Sequence, residues 1–206
     1  MATVSWDNKP IHFDVPAIRN TKTGKIRVRL EDVARTELEE LAKAHGIEPR
    51  DIPILLILKA QMGGFVNKED VQFQYHLNKI LFYQWKRMEE IGLGETFPHD
   101  KFERADRGPV PSNINGDLER LAQNGLISVE RHRWGIRPRD ESKQIKLTSK
   151  GSELASELLK RTPEDLLITT AEVKTMIGIL TPASVKEKVH KEFPEFRTTY
   201  TAEDSD

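Results

Sequence analysis

The chain has 206 residues, 37% hydrophobic and 32% charged, with no cysteine and a formal net charge of −1. That length holds one domain with elaborations or two small ones, and the balance suits a helix-rich protein with much solvated surface. Near-neutrality excludes a molecule that binds polyanions over its whole surface, and the lack of cysteine excludes disulfides, thiol nucleophiles and cysteine-ligated zinc.

The opening MATVSWDNKP holds no basic-then-apolar leader, and no apolar run reaches the length of a membrane span, so a soluble cytoplasmic protein is expected. Residues 11–15 and 25–30 alternate apolar with polar around a turn-forming NTKTG, which predicts a hairpin. A helix follows from near Glu31, with Leu38, Leu41 and Ala42 on one face and Gly46 as its stop. The polar connection Glu48–Asp51 marks the expected boundary between an N-terminal extension, 1–50, and a main domain, 51–197.

The run Ile52 to Met62 is too short for a bilayer and predicts a buried helix ended by Gly63-Gly64. Asn67 and Asp70 resemble a capping pair for a helix to about Ile91, with Phe73, Leu77, Ile80, Leu81 and Met88 inward. Residues Gly92 to Pro111, rich in glycine and proline, predict an irregular loop, after which Ser112 or Asn113 caps a helix carrying Leu118 and Leu121. Gly125 closes that helix. Strand 126–129, a basic turn-rich tip, strand 144–148 and a helix from Ser149 to about Lys160 come next. Thr162-Pro163 and Thr181-Pro182 each pair a hydroxyl with proline, predicting helices to about Ile179 and about Glu192. The acidic tail 198–206 is expected to be disordered.

Helix, strand, charged tip, strand, helix is the element order of a winged helix-turn-helix. The expected fold is therefore mainly α with a small β component: a winged helix-turn-helix core, an N-terminal β-hairpin-plus-helix extension, and C-terminal helices. Within 128–150 lie seven basic residues (Arg131, Arg133, Arg137, Arg139, Lys143, Lys146 and Lys150) against three acidic ones. Cations on a two-stranded wing can reach phosphates across a groove. The helix beside them offers Ser112, Asn113 and Asn115 as short polar groups for base edges, and Arg120 as its one cation. The same wing residues also suit a solvated hairpin whose charges keep an edge strand soluble. A second basic strip, Arg19, Lys22, Lys25, Arg27 and Arg29, suits an exposed hairpin face.

No catalytic constellation is expected. His99-Asp100 sits beside Pro98 in a loop rather than on a helix with further ligands. Asp165 with Glu172-Val173-Lys174 imitates a nuclease signature but follows a helix start. Gly92-Leu93-Gly94 lacks the third glycine of a phosphate loop, and the six histidines do not cluster.

The pattern Leu118-x-x-Leu121, Gly125-Leu126-Ile127, a basic tip, and Ile145-Lys146-Leu147-Thr148-x-Lys150-Gly151 resembles the helix-wing-helix end of MarR-type and PadR-type regulators. With Leu77-Asn78-Lys79-Ile80-Leu81-Phe82-Tyr83, Gly108-Pro109-Val110 and Glu192-Phe193-Pro194-Glu195-Phe196, residues 52–197 are similar to the YwgA-like family and, more loosely, to the Panacea domain. These resemblances imply a winged-helix-like core that serves either of two uses. One is a DNA-binding transcriptional regulator without cofactor or catalysis, a homodimer joined through 163–192. The other is an antitoxin-like or adaptor module that binds a partner protein.

Overall fold

A computed structural model describes residues 5–6, 9–10, 36–60, 71–90, 101–105, 108–133 and 141–196. The predicted hairpin 11–30, the wing tip 134–140 and the tail lie outside the described residues. The described chain is mainly helical with a small antiparallel β component, as its periodicities require. Its strands are β1 (Ser5–Trp6), β2 (Lys9–Pro10), β3 (Val71–Phe73), β4 (Phe102–Glu103), β5 (Val110–Pro111), β6 (Ile127–Arg133) and β7 (Glu141–Leu147). The helices are α1 (36–44), α2 (Ile52–Lys59), α3 (Gln74–Glu90), α4 (Ile114–Gln123), α5 (Ser149–Arg161), α6 (Glu164–Gly178) and α7 (Pro182–Glu192).

Helix α2 is the centre. Its sequence IPILLILK has no polar face, and every residue from Ile52 to Leu58 is buried. A helix apolar all round needs neighbours all round, and α3, α5 and α6 supply them. Lys174 of α6, itself buried, places its ammonium on the carbonyl oxygens of Leu58 and Ala60. This satisfies the end of α2, where helix carbonyls lack intrahelical partners. Leu38, Leu41, Ala42 and Ile47 join the same apolar cluster, so α1 packs on the body and Asp51, at the expected boundary, is fully buried.

Three local expectations are corrected. Val71–Phe73, read as the first turn of a helix, is a strand that pairs with β7 (Val71↔Lys146, Phe73↔Gln144) and gives the sheet order β3-β7-β6. Two apolar residues separated by one fit either period, and the open edge of β7 decides for the strand. The segment read as an irregular loop holds the β4–β5 pair, Phe102↔Pro111 and Glu103↔Val110. Thr162 does not cap α6: its hydroxyl donates to Leu158 O at 2.7 Å, back into α5, and Pro163 takes the cap position. Thr181 caps α7 as expected, accepting from Ser184 N at 3.2 Å.

The C-terminal helices lie against α3. Gln84 donates to Thr170 Oγ1 at 2.5 Å, Tyr75 to Pro182 O at 2.9 Å and Tyr83 to Glu192 Oε2 at 2.7 Å. Leu166, Leu167, Val173 and Ile177 of α6 are buried within this chain. No described helix is long and apolar enough alone to cross a membrane.

The turn from α4 into β6 is built on Gly125, at φ +67°. Gly125 N donates to Ala122 O and Leu126 N to Leu121 O, the paired bonds of a Schellman stop, with Leu121 and Leu126 both buried. Gly151, in the first turn of α5, lets the backbone of Leu126 pass: a Cβ there would sit 1.8 Å from Leu126 O. Gly151→Ala must push α5 off β6 and is expected to cost about 3 kcal/mol, as overpacking against backbone does. A urea midpoint within about 0.5 kcal/mol of wild type, the range of neutral surface changes, contradicts that close approach.

Burial, and then the Glu192 hydrogen bond, raise the Tyr83 phenol above its ordinary value. Burial opposes ionisation of Glu192, but hydrogen bonds from Lys188 (2.5 Å) and Tyr83 outweigh it, so its carboxyl titrates below its ordinary range. A lowered folded value stabilises above the unfolded carboxylate range and is lost as pH falls through it. The stability advantage of wild type over Tyr83→Phe is therefore expected to be flat near neutrality and to shrink below about pH 4, as read by unfolding at fixed pH values.

Candidate nucleic-acid interface

Helix α4 is held from below by ions. Asp51, fully buried, accepts from Arg120 Nε at 2.8 Å and Nη2 at 2.7 Å, a two-pronged guanidinium–carboxylate contact. Arg120 Nη2 also reaches Asp117 Oδ1 at 2.6 Å, and its Nη1 lies 3.0 Å from Glu48. Arg50 lies 3.1 Å from Asp117 and 2.8 Å from Glu48, while Asp51 Oδ2 accepts from Glu48 N at 2.9 Å. Farther along α4, Asn124 Nδ2 donates to Gly46 O at 3.1 Å. The network ties the α1–α2 connection to one flank of α4. The hydrogen bond to Asp51 above all raises the Arg120 pKa, with burial opposing and Asp117 adding, so this guanidinium stays charged at any accessible pH.

This corrects the reading of Arg120 as a nucleic-acid contact. A cation placed between three acids faces the body, and the helix keeps no other. Sequence spacing offers a hint in the i, i+3 pair Asp117–Arg120, but Asp51 is 69 residues away and no local pattern pairs it.

The remaining polar residues of α4 cluster at its N-terminal end. Ser112, Asn113 and Asn115 are exposed, as is Glu119. Ser112 N donates to Lys101 O at 2.9 Å, which fastens the β4–β5 pair to the helix start. Asn113 occupies the cap position without a side-chain cap bond, and its Nδ2 reaches Asp117 Oδ1 at 3.2 Å.

Beside α4 stands the hairpin β6–β7, paired from Ile127↔Leu147 out to Arg133↔Glu141. Side chains alternate between faces along a strand. Ile127, Val129 and Arg131 share a face with Leu147, Ile145 and Lys143, so this face is apolar over the core and cationic beyond it. Arg131 and Lys143 sit directly across one rung. That face turns to α4, because Lys143 Nζ donates to Asn115 Oδ1 at 2.8 Å. Gln74, in the first turn of α3, donates to the same oxygen at 3.2 Å.

The pleat corrects a second expectation. Lys146 pairs with Ser128 on one side and Val71 on the other and points to the opposite face, so it is exposed but does not share the surface of Lys143 and Asn115. Lys150 is also diverted: its ammonium donates to Asn124 O at 2.9 Å, on the last carbonyls of α4. Arg133 is placed by its backbone at the outermost rung, and Arg137 and Arg139 lie outside the described residues, as does the strip 19–29. Gln74 escapes a reading of the sequence because nothing local distinguishes it from any polar residue at a helix start.

Of the other motifs, His99-Asp100 and Gly92-Leu93-Gly94 lie outside the described residues. Asp165 and Glu172-Val173-Lys174 fall on one helix, α6, and Lys174 is buried on the end of α2, so the nuclease spacing is coincidental. Among the described residues no group of three metal-ligating side chains converges. Comparison with protein-family models and with curated proteins gives no match for this chain.

Removing one partner of a buried ion pair leaves the other charge uncompensated. Asp51→Ala is expected to destabilise by about 3 kcal/mol, and Arg120→Ala comparably. The double variant should be less destabilised than the sum of the two, in chemical denaturation. Additive losses would show that the two side chains do not interact.

Proposed function

We propose that this chain is a winged-helix protein that binds double-stranded DNA, a cytoplasmic transcriptional regulator that acts without cofactor or catalysis. The observation that carries the reading is the hydrogen bond between Lys143 of the wing and Asn115 of α4. It sets a cationic hairpin face and the polar start of a helix side by side, so that one polyanion can meet both. The chain order α2, β3, α3, α4, β6, β7, with β3 on the edge of β7, supports the winged-helix assignment. In this reading α4 approaches a major groove by Ser112, Asn113 and Asn115, and Arg131, Arg133, Arg137, Arg139 and Lys143 hold phosphates. A homodimer would join through the exposed surface of the C-terminal helices, where Ile179 at the end of α6 is an exposed large apolar side chain, and would set the spacing of two half-sites.

A second reading has its own observation. Arg120 is enclosed by acids and the exposed middle of α4 presents Glu119, which weakens phosphate approach along that helix. A protein-interaction module of the antitoxin or adaptor kind would meet its partner with the same α4–wing surface.

Fluorescence anisotropy of the full chain with random-sequence duplex at several salt concentrations separates the two. Binding is expected to weaken with log salt. Changing Arg131, Arg133, Arg137 and Arg139 to alanine should lower affinity for every duplex and flatten the slope by about 0.9 for each phosphate that is no longer neutralised. An unchanged slope removes the wing from the interface. No binding to any duplex at low salt overturns the DNA reading in favour of the second.

A further inference from the structure

Asn115 presents a chemistry that its residue type alone does not give. A free asparagine amide offers an acceptor and a donor together, the pattern that matches the N6 and N7 edge of adenine. Here the acceptor is taken. Lys143 is a donor only, and it meets Asn115 Oδ1 at 2.8 Å; Gln74 Nε2 donates to the same oxygen at 3.2 Å. An ammonium cannot accept, so the amide has one stable orientation, oxygen toward Lys143 and Gln74 and Nδ2 away from them. Among the described residues that Nδ2 makes no hydrogen bond, and Asn115 is exposed at the leading end of α4.

We infer that Asn115 is a specificity residue locked into donor-only form, with Gln74 and Lys143 as its positioning residues, and that it selects guanine. The inference rests on the DNA-binding reading above. Guanine presents two adjacent acceptors, O6 and N7, and no donor in the major groove; adenine sets an amino group beside its one acceptor N7, cytosine offers only an amino group, and thymine offers the one acceptor O4 beside a methyl, so guanine alone gives both amide hydrogens of Nδ2 an acceptor. The wing therefore does more than hold phosphates. Through one side chain it sets the hydrogen-bonding polarity of the helix it flanks.

The test is selection of duplexes from a randomised pool by the full chain, followed by titration of the selected site and its single-base variants. Wild type is expected to select a guanine whose replacement by adenine weakens binding roughly tenfold. Asn115→Asp, which keeps the acceptor and loses the donor at an exposed position, should abolish that preference at that base pair alone. Gln74→Ala combined with Lys143→Met should free the amide and shift the same position toward adenine. Loss of the Lys143 charge lowers affinity for all duplexes alike and cancels in the ratio between bases. Wild-type selection of any base other than guanine at the Asn115-dependent position, or a guanine preference that survives Asn115→Asp, overturns the inference while leaving duplex binding intact. Failure of wild type to bind any duplex overturns the DNA reading itself and this inference with it.

Discussion

The position of α4 depends on a carboxylate withdrawn from water. Asp51 is fully buried at the start of α2, and the guanidinium of Arg120 meets it with two nitrogens. An ion in that place is tolerable only with its partner in register. The ion pair therefore specifies one rotation of α4 about its axis: the turn that sends Arg120 and Asp117 inward sends Asn115 and Glu119 outward. Leu118 and Leu121 fix the same rotation by burial. Ionic and apolar requirements agree, and that agreement gives the helix a defined outer face.

The hairpin is set against that face by a separate set of constraints. Gly125 reverses the chain at the end of α4, and Leu126 is then pinned between α4 and the first turn of α5, where only glycine fits at 151. Thr148 closes the corner, donating to Gly125 O at 2.7 Å and accepting from Gly151 N at 3.0 Å. With both ends of the hairpin anchored, the alternation of β6 and β7 sends Arg131 and Lys143 to the α4 side and Lys146 to the other. The cationic cluster that looks continuous in sequence is thus divided in space, and part of it is turned to internal use on the carbonyls of α4.

Much of this is legible in the chain. The apolar run of α2, the periodicity of α3, the Gly125 stop, the two hairpin strands β6 and β7 and the Thr181-Pro182 start all come from rules that act over a few residues. The misleading segments mislead because those rules are local. Val71–Phe73 is too short to show its period, and its pairing partner is more than seventy residues away. Thr162 has carbonyl and amide targets on both sides within reach, and α5 takes it. At the site, Asn115 and Lys143 are recognisable by type, Arg120 suggests the wrong task, and Gln74 gives no signal. Each depends on which distant group shares its space.

The sequence by itself determined a mainly helical chain around one uniformly apolar helix, with a glycine-closed helix feeding a basic two-stranded hairpin. Those features follow from local propensity and from the spacing of apolar residues. Only the tertiary structure decided which charges face outward, because a charge's role depends on its nearest opposite charge, and 69 residues of chain separate Arg120 from Asp51. It likewise decided that Lys143 and Gln74 meet on one amide oxygen, a junction of three elements that no stretch of the chain contains.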